Sequence, residues 1–252
     1  MITLKSKREI ELMRIAGNIV YKTHQYLKQF VKPGITTQEI DDLADKYIRS
    51  LDAIPSCKNY HGFPAAICIS VNDEVVHGIA GKRKLKDGDI VTLDICACYK
   101  GYHGDSAWSY TVGEVDEEKK HLMEYTEKAL FVGLEQVKPG ARIGDIGHAV
   151  QEFAEANGLG VVRELCGHGI GQNLHEDPDV PNYGVQNTGV RLREGMVIAV
   201  EPMLTAGYPN IEVLDDEWTV VTADGRPAAH FEHTVAITED GYEILTGEWK
   251  DG

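Results

Sequence analysis

Positive charge is scarce in this chain. Its 252 residues carry 25 Lys and Arg against 40 Asp and Glu, a formal net charge of −15. A surface of that sign repels phosphate, which excludes nucleic-acid binding driven by charge. Long apolar runs are missing as well. No stretch approaches the length that spans a bilayer, and the opening MITLKSKREIELMRIAG lacks the apolar core of a secretory signal, so no membrane partner is expected. Cysteine is sparse: Cys57, Cys68, Cys96, Cys98 and Cys166 form an odd set with no framework spacing. Reduced thiols in a cytoplasmic protein are expected, and Cys96-x-Cys98 is too tight for a zinc knuckle. No glycine-rich phosphate cradle is present. What remains, 42% hydrophobic and 26% charged residues, is a chain able to bury a sizeable core.

The periodicities alternate between helices and paired strands. Ser6 and Glu9 form a capping box ahead of a helix over about 7–29, broken by Val31-Lys32-Pro33-Gly34. Thr36 and Glu39 open a second helix to about 51. Asp116 caps a third over 117–137, and a fourth runs over about 144–157. Strands are expected at 66–71, 196–200, 211–214, 217–222, 230–238 and 242–245, with short strands, turns and a long loop over 161–195. The pattern is α+β, unlike a βαβ series.

The most informative stretch is 84–113. Ile90 to Cys98 is β-branched and apolar except for Asp94, and Asp105 follows a turn at Lys100-Gly101. With those two residues as the loop of a hairpin, Asp94 pairs with Ala107, and Asp105 is its diagonal neighbour on the same face. Two acids pointing the same way repel unless a cation lies between them; solvated acids on an edge hairpin are the alternative. By parity Cys96 and Cys98 share the face of Asp94. Cys96 therefore stands behind the acids, where its oxidation is expected to inhibit any chemistry they support.

The chain also repeats itself. Val31-Lys32-Pro33-Gly34 returns as Val137-Lys138-Pro139-Gly140, and Lys84-Leu85-Lys86-Asp87-Gly88 returns as Arg191-Leu192-Arg193-Glu194-Gly195 at almost the same offset. Both second blocks lead into apolar runs that end on a carboxylate, Asp94 and Glu201. A repeat this long implies two similar halves, about 1–113 and 114–252, of one domain spanning 1–252. His77-Gly78-Ile79 echoes His168-Gly169-Ile170, and Tyr102-His103-Gly104-Asp105 loosely echoes Ala229-His230-Phe231-Glu232. Where the halves meet, Asp94 and Glu201 are expected to approach one another with Asp105 and Glu232 beside them, and His168 completes the candidate set. Four carboxylates and one imidazole suit two divalent ions sharing bridging oxygens, with cobalt, manganese or iron favoured by the oxygen-rich set and zinc a further option.

On these residues the chain resembles the type I methionine aminopeptidases of the pita-bread metallopeptidase family. The carrying features are Asp94 with Asp105 eleven residues on, Gly167-His168-Gly169-Ile170-Gly171 with His175, Glu201-Pro202, and Phe231-Glu232-His233-Thr234. The resemblance runs from about Ser6 to Leu245. It implies a pita-bread fold: two pseudo-symmetric halves with a curved antiparallel sheet covered by helices. It implies that Asp94 chelates one metal and His168 the other, that Asp105 and Glu232 bridge them, and that Glu201 is both ligand and proton acceptor for the bridging water. His175 would stabilise the tetrahedral intermediate and His77 would contact the scissile amide. Cys57, Tyr60, His61, Phe63, Cys68, Leu174 and Trp218, with His77 and His175, would hold the substrate, soft and aromatic walls suiting a thioether. The implied partner is the initiator methionine of nascent polypeptides with a small second residue, met near the ribosome by a monomer. Some positions depart from the family's usual pattern: Leu165 and Leu174 stand where aromatics are common, Phe63 where Tyr is, Ser106 where Thr is, and Asn182 where His is. Proline-directed relatives share the ligand set but usually carry an extra N-terminal domain. Non-catalytic pita-bread proteins typically lose ligands, and all five are present here.

Overall fold

The computed structural model describes residues 1–248. Four helices, α1 (Lys7–Lys28), α2 (Thr37–Ser50), α3 (Glu117–Leu134) and α4 (Ile143–Ala156), cover antiparallel strands. The two expected capping boxes start α1 and α2: Ser6 and Thr36 accept from the amides of Glu9 and Glu39, whose carboxylates reach back. Asp116 caps α3 without a box. That helix stops at Leu134, short of the expected 137, because the residue ahead of Pro139 disfavours helical geometry and the last turn loosens before it.

The organising element is the hairpin Ile90–Tyr99 with Tyr102–Thr111. Asp94 pairs with Ala107 and Cys96 with Asp105, the register expected from a two-residue loop. The turn is of the primed kind, with φ of 49° at Lys100 and 84° at Gly101, whose twist matches the flanking strands. Cys68–Val71 and Ile54–Pro55 pair with the free edge of Ile90–Tyr99. A five-stranded sheet in the second half has the order Tyr242–Ile244, His233–Ile237, Val197–Val200, Gly167–Gly169, Glu176–Val180.

The expected strand over 230–238 is broken. Ala228–His230 pairs with Met203–Thr205, whereas His233–Ile237 pairs with Val197–Val200. Phe231 and Glu232 are the residues where the chain changes sheets. There, hydroxyls replace part of the ladder. Glu232 N donates to Ala107 O (2.8 Å), Ser106 Oγ donates to Glu232 O (2.6 Å), and Thr234 Oγ1 both accepts from Asp105 N (3.1 Å) and donates to Asp105 O (2.8 Å). These bonds set Asp105 and Glu232 side by side.

Corresponding contacts recur in the two parts of the chain. Gly34 N donates to Leu85 O (2.8 Å), as Gly140 N does to Leu192 O (3.0 Å). Isolated bridges join Thr36 to Lys84 and Arg142 to Arg191. One apolar cluster gathers Val20, Ile40, Ile48 and Leu93 under α1 and α2; another gathers Leu130, Ile146, Val150 and Val200 under α3 and α4.

Helix α1 crosses the hairpin at a point with no room for a side chain. A Cβ on Gly104 would lie 2.6 Å from Gly17 N, and one on Gly17 would lie 2.2 Å from Leu245 O. Backbone of α1 cannot yield cheaply, so Gly104→Ala is expected to destabilise the protein by about 1–3 kcal/mol or more. Urea denaturation measures this, and an unchanged midpoint would contradict the crossing.

Candidate metal centre and substrate cavity

The hairpin delivers Asp94 and Asp105 to one face; the sheet change delivers Glu232 beside them; the strand Val197–Val200 ends directly at Glu201; and the strand Gly167–Gly169 carries His168. The side chains converge. Ligand atoms of Asp105, His168 and Glu232 all lie within 4.8 Å of one another, as do those of Asp94, Cys96 and Asp105, so Asp105 belongs to both groups. His168 Nε2 is 3.7 Å from Asp105 Oδ2 and 3.6 Å from Glu201 Oε1. These separations are too long for hydrogen bonds. They suit donors around a shared ion, roughly 3–4 Å apart when each sits about 2.1 Å from it.

The protonation states agree. Burial pushes the Asp94, Glu201 and Glu232 carboxyls well above their ordinary range, and the charge on Asp105 adds to it. Burial raises Asp105 itself to about 7. Anions this crowded and this dry require protons or a cation. Glu232 Oε1 is buried without a hydrogen-bond partner, an acceptor left open for an ion. His168 is lowered to about 4, chiefly by burial, and is neutral near pH 7. Its Nδ1 bonds to Gly169 O at 2.9 Å. A carbonyl only accepts, so Nδ1 carries the proton and Nε2 keeps the lone pair that faces the acids. The donor set therefore fits divalent cations.

Above the acids is a cavity of about 320 Å³. Cys57, Tyr60, His61, Phe63, Cys68, His77, Leu174, His175 and Trp218 all line it, together with the five acid and imidazole groups. Phe63 and Trp218 pack edge to face at 5.2 Å between centroids. His175 is held by Tyr60, whose hydroxyl is 2.7 Å from Nδ1, and its ring lies 4.2 Å from that of His168. Burial, with His77, His61 and His103 nearby, lowers it to about 4. His77 is lowered by burial also.

Every residue picked from the sequence for the site lines this one cavity. Further residues share or support it. Met203 and His230 line the same space, and His230 Nε2 is 3.6 Å from Glu201 Oε2. The signal for His230 was available: it stands two residues before Glu232 and echoes His103 before Asp105. Asn182 donates from Nδ2 to Glu201 O at 2.9 Å, fixing the turn that carries that carboxylate; nothing in its local sequence marks it for that task.

Comparison with known proteins adds an independent line. The profile of metallopeptidase family M24 matches residues 11–239. Methionine aminopeptidase 1 of Bacillus subtilis (strain 168) is 54% identical over 246 residues, covering 98% of this chain and 99% of that one. The crystal structure of methionine aminopeptidase from Thermotoga maritima superposes with a TM-score of 0.97 at 46% identity, over 98% of this chain and 100% of that one. An Xaa-Pro dipeptidase from Bacillus anthracis shares the fold at a TM-score of 0.79 and 23% identity, with 98% of this chain covering 63% of the dipeptidase. The fold is therefore the pita-bread α+β fold, and the chain belongs to metallopeptidase family M24, among its methionine aminopeptidases.

Proposed function

We propose that this chain is a metal-dependent aminopeptidase that removes the N-terminal methionine from nascent proteins and peptides whose second residue is small. The observation that carries the reading is the sharing of Asp105 between two donor groups at the base of a cavity walled by thiols and aromatics. Asp94 would hold one divalent ion and His168 the other, Asp105 and Glu232 would serve both, and Glu201 would be a further ligand; cobalt, manganese, iron and zinc all suit the set. Bound there, such ions supply hydroxide at neutral pH and polarise the scissile carbonyl.

The protein's own groups do the rest. Glu201 accepts the proton of the attacking water, and Asn182 keeps its backbone in place. His175, oriented by Tyr60, faces the carbonyl oxygen as negative charge develops on it. His77 contacts the scissile amide. Cys57, Cys68, Phe63 and Trp218, with Tyr60, His61 and Leu174, take up the unbranched thioether side chain. Val76, Leu165, Met203 and His230 line the same cavity, and crowding beside the acids favours a small second side chain. We read the chain as one domain of two related halves, about 1–113 and 114–252, acting as a monomer in the cytoplasm where nascent chains emerge. No helix among the described residues is long and apolar enough to cross a membrane.

The test is a peptide panel with manganese or cobalt, repeated with chelator. Met-Gly-Met and Met-Ala peptides are expected to lose methionine at least about a hundredfold faster, in kcat/KM, than Met-Leu peptides. Ala-Pro is expected to resist. No cleavage with any metal ends the peptidase reading, and cleavage only before proline moves it to the proline-directed relatives.

A further inference from the structure

Three thiols gather at the base of the cavity. Cys57, Cys68 and Cys96 are 6%, 5% and 3% exposed, and all three line the same space. Backbone pairing brings two of them together. Pro55 lies opposite Ala97, and Ser56 N donates to Cys96 O at 2.9 Å, so the next residue, Cys57, turns its side chain onto the Cys96 strand. The two sulfurs are 3.3 Å apart, in direct contact. Cys96 Sγ is in turn 2.9 Å from Asp105 Oδ1. A disulfide spans about 2.05 Å between sulfurs, so closure asks for a movement of little more than about 1 Å, within reach of side-chain rotation.

We propose that Cys57 and Cys96 are an oxidation site, at which a small two-electron oxidant of the peroxide class converts the two thiols to a disulfide. The chemistry balances. Peroxide oxidises one thiol to a sulfenic acid and leaves as water. The second sulfur then attacks the sulfenic sulfur; the S–O bond breaks, the S–S bond forms, and a second water departs with the remaining thiol proton. Two thiols are oxidised and one peroxide is reduced. The cavity, about 320 Å³, admits a reagent as small as peroxide. The consequence follows from the contacts of Cys96. Joined to Cys57, it no longer presents a thiol hydrogen to Asp105, the carboxylate shared by both donor groups, and one wall of the cavity is pinned. Bridge formation stands apart from the proposed peptidase activity; inhibition by it rests on that activity.

The experiment treats the zinc-loaded protein, zinc being redox-inert, with hydrogen peroxide. Free thiols are expected to fall from five to three, the intact mass to drop by two hydrogens, and non-reducing peptide mapping to recover a Cys57–Cys96 cross-link. Cys98→Ser keeps that cross-link, and Cys96→Ser removes it. A Cys57–Cys68 bridge, sulfenic or sulfinic adducts alone, or five intact thiols would each overturn the proposal, and all are read on the unmutated protein. Cleavage of Met-Gly-Met by the same samples is expected to decline at least tenfold in step with the bridge and to return with dithiothreitol. Undiminished cleavage by bridged protein removes the inhibition. A protein inactive before oxidation that still forms the bridge counts against the peptidase reading and leaves the oxidation site standing.

Discussion

Glu201→Gln is expected to lower kcat by about three orders of magnitude or more while leaving the fold intact. The amide has nearly the volume of the carboxylate, so the buried space stays filled. The bonds that hold the local chain do not involve the side chain: Asn182 bonds the Glu201 carbonyl oxygen, and the preceding strand Val197–Val200 is held by its ladder with His233–Ile237. What disappears is one negative ligand and the group that accepts the proton of the attacking water. A second consequence separates this from general damage. Burial and the Asp105 charge both oppose ionisation of Glu201, so its neutral replacement relieves repulsion and should raise the melting temperature of the metal-free protein. Steady-state kinetics at matched metal content, with thermal melting of the chelated protein, tests both. Near-wild-type turnover in the fully metallated variant would remove Glu201 from its proton-accepting role.

The stabilisation given by a divalent cation is expected to grow steeply with pH. Asp105 has an ordinary carboxyl value of 3.8 and is raised to about 7 in the fold, mainly by burial. Asp94, Glu201 and Glu232 are raised as well. A group that binds its proton more tightly when folded favours the fold below its unfolded value. That advantage is lost as pH rises through the folded value. Between about pH 4 and pH 7, then, the metal-free protein should lose stability as its crowded acids are forced to ionise. A bound cation reverses the sign, because it needs the acids ionised, and its binding releases protons in that window. The shift in melting temperature on adding manganese should therefore be several-fold larger at pH 8 than at pH 5, with proton release measurable by calorimetry in buffers of different ionisation enthalpy. Equal shifts at both pH values would mean that these carboxyls do not hold the ion.

Local chemistry explains what could be read in advance. Capping boxes at Ser6 and Thr36, the turn at Lys100-Gly101 and the alternation around Asp94 depend on neighbours along the chain, and the structure has all of them. The repeat carried more, because matched blocks imply matched surroundings: it pointed to Asp94 and Glu201 as parts of one site, and both line the same cavity. The strand over 230–238 failed the same approach. Its β-branched and apolar composition is continuous, and only the competing partners, Met203–Thr205 and Val197–Val200, make it change sheets at Phe231-Glu232. The closeness of α1 to the hairpin at Gly17 and Gly104 was equally silent, since a glycine needed for contact looks like any other.

The sequence by itself determined which donors this protein has, on which strands they ride and which way parity points them, because those properties are set by covalent order and a two-residue period. Only the tertiary structure decided that Asp105 is shared by two donor groups, that Asn182 steadies Glu201, that His230 enters the cavity, and that the sulfurs of Cys57 and Cys96 touch. Those outcomes depend on where separate segments stop against one another. That is fixed by packing between residues tens to hundreds of positions apart, and no local pattern records it.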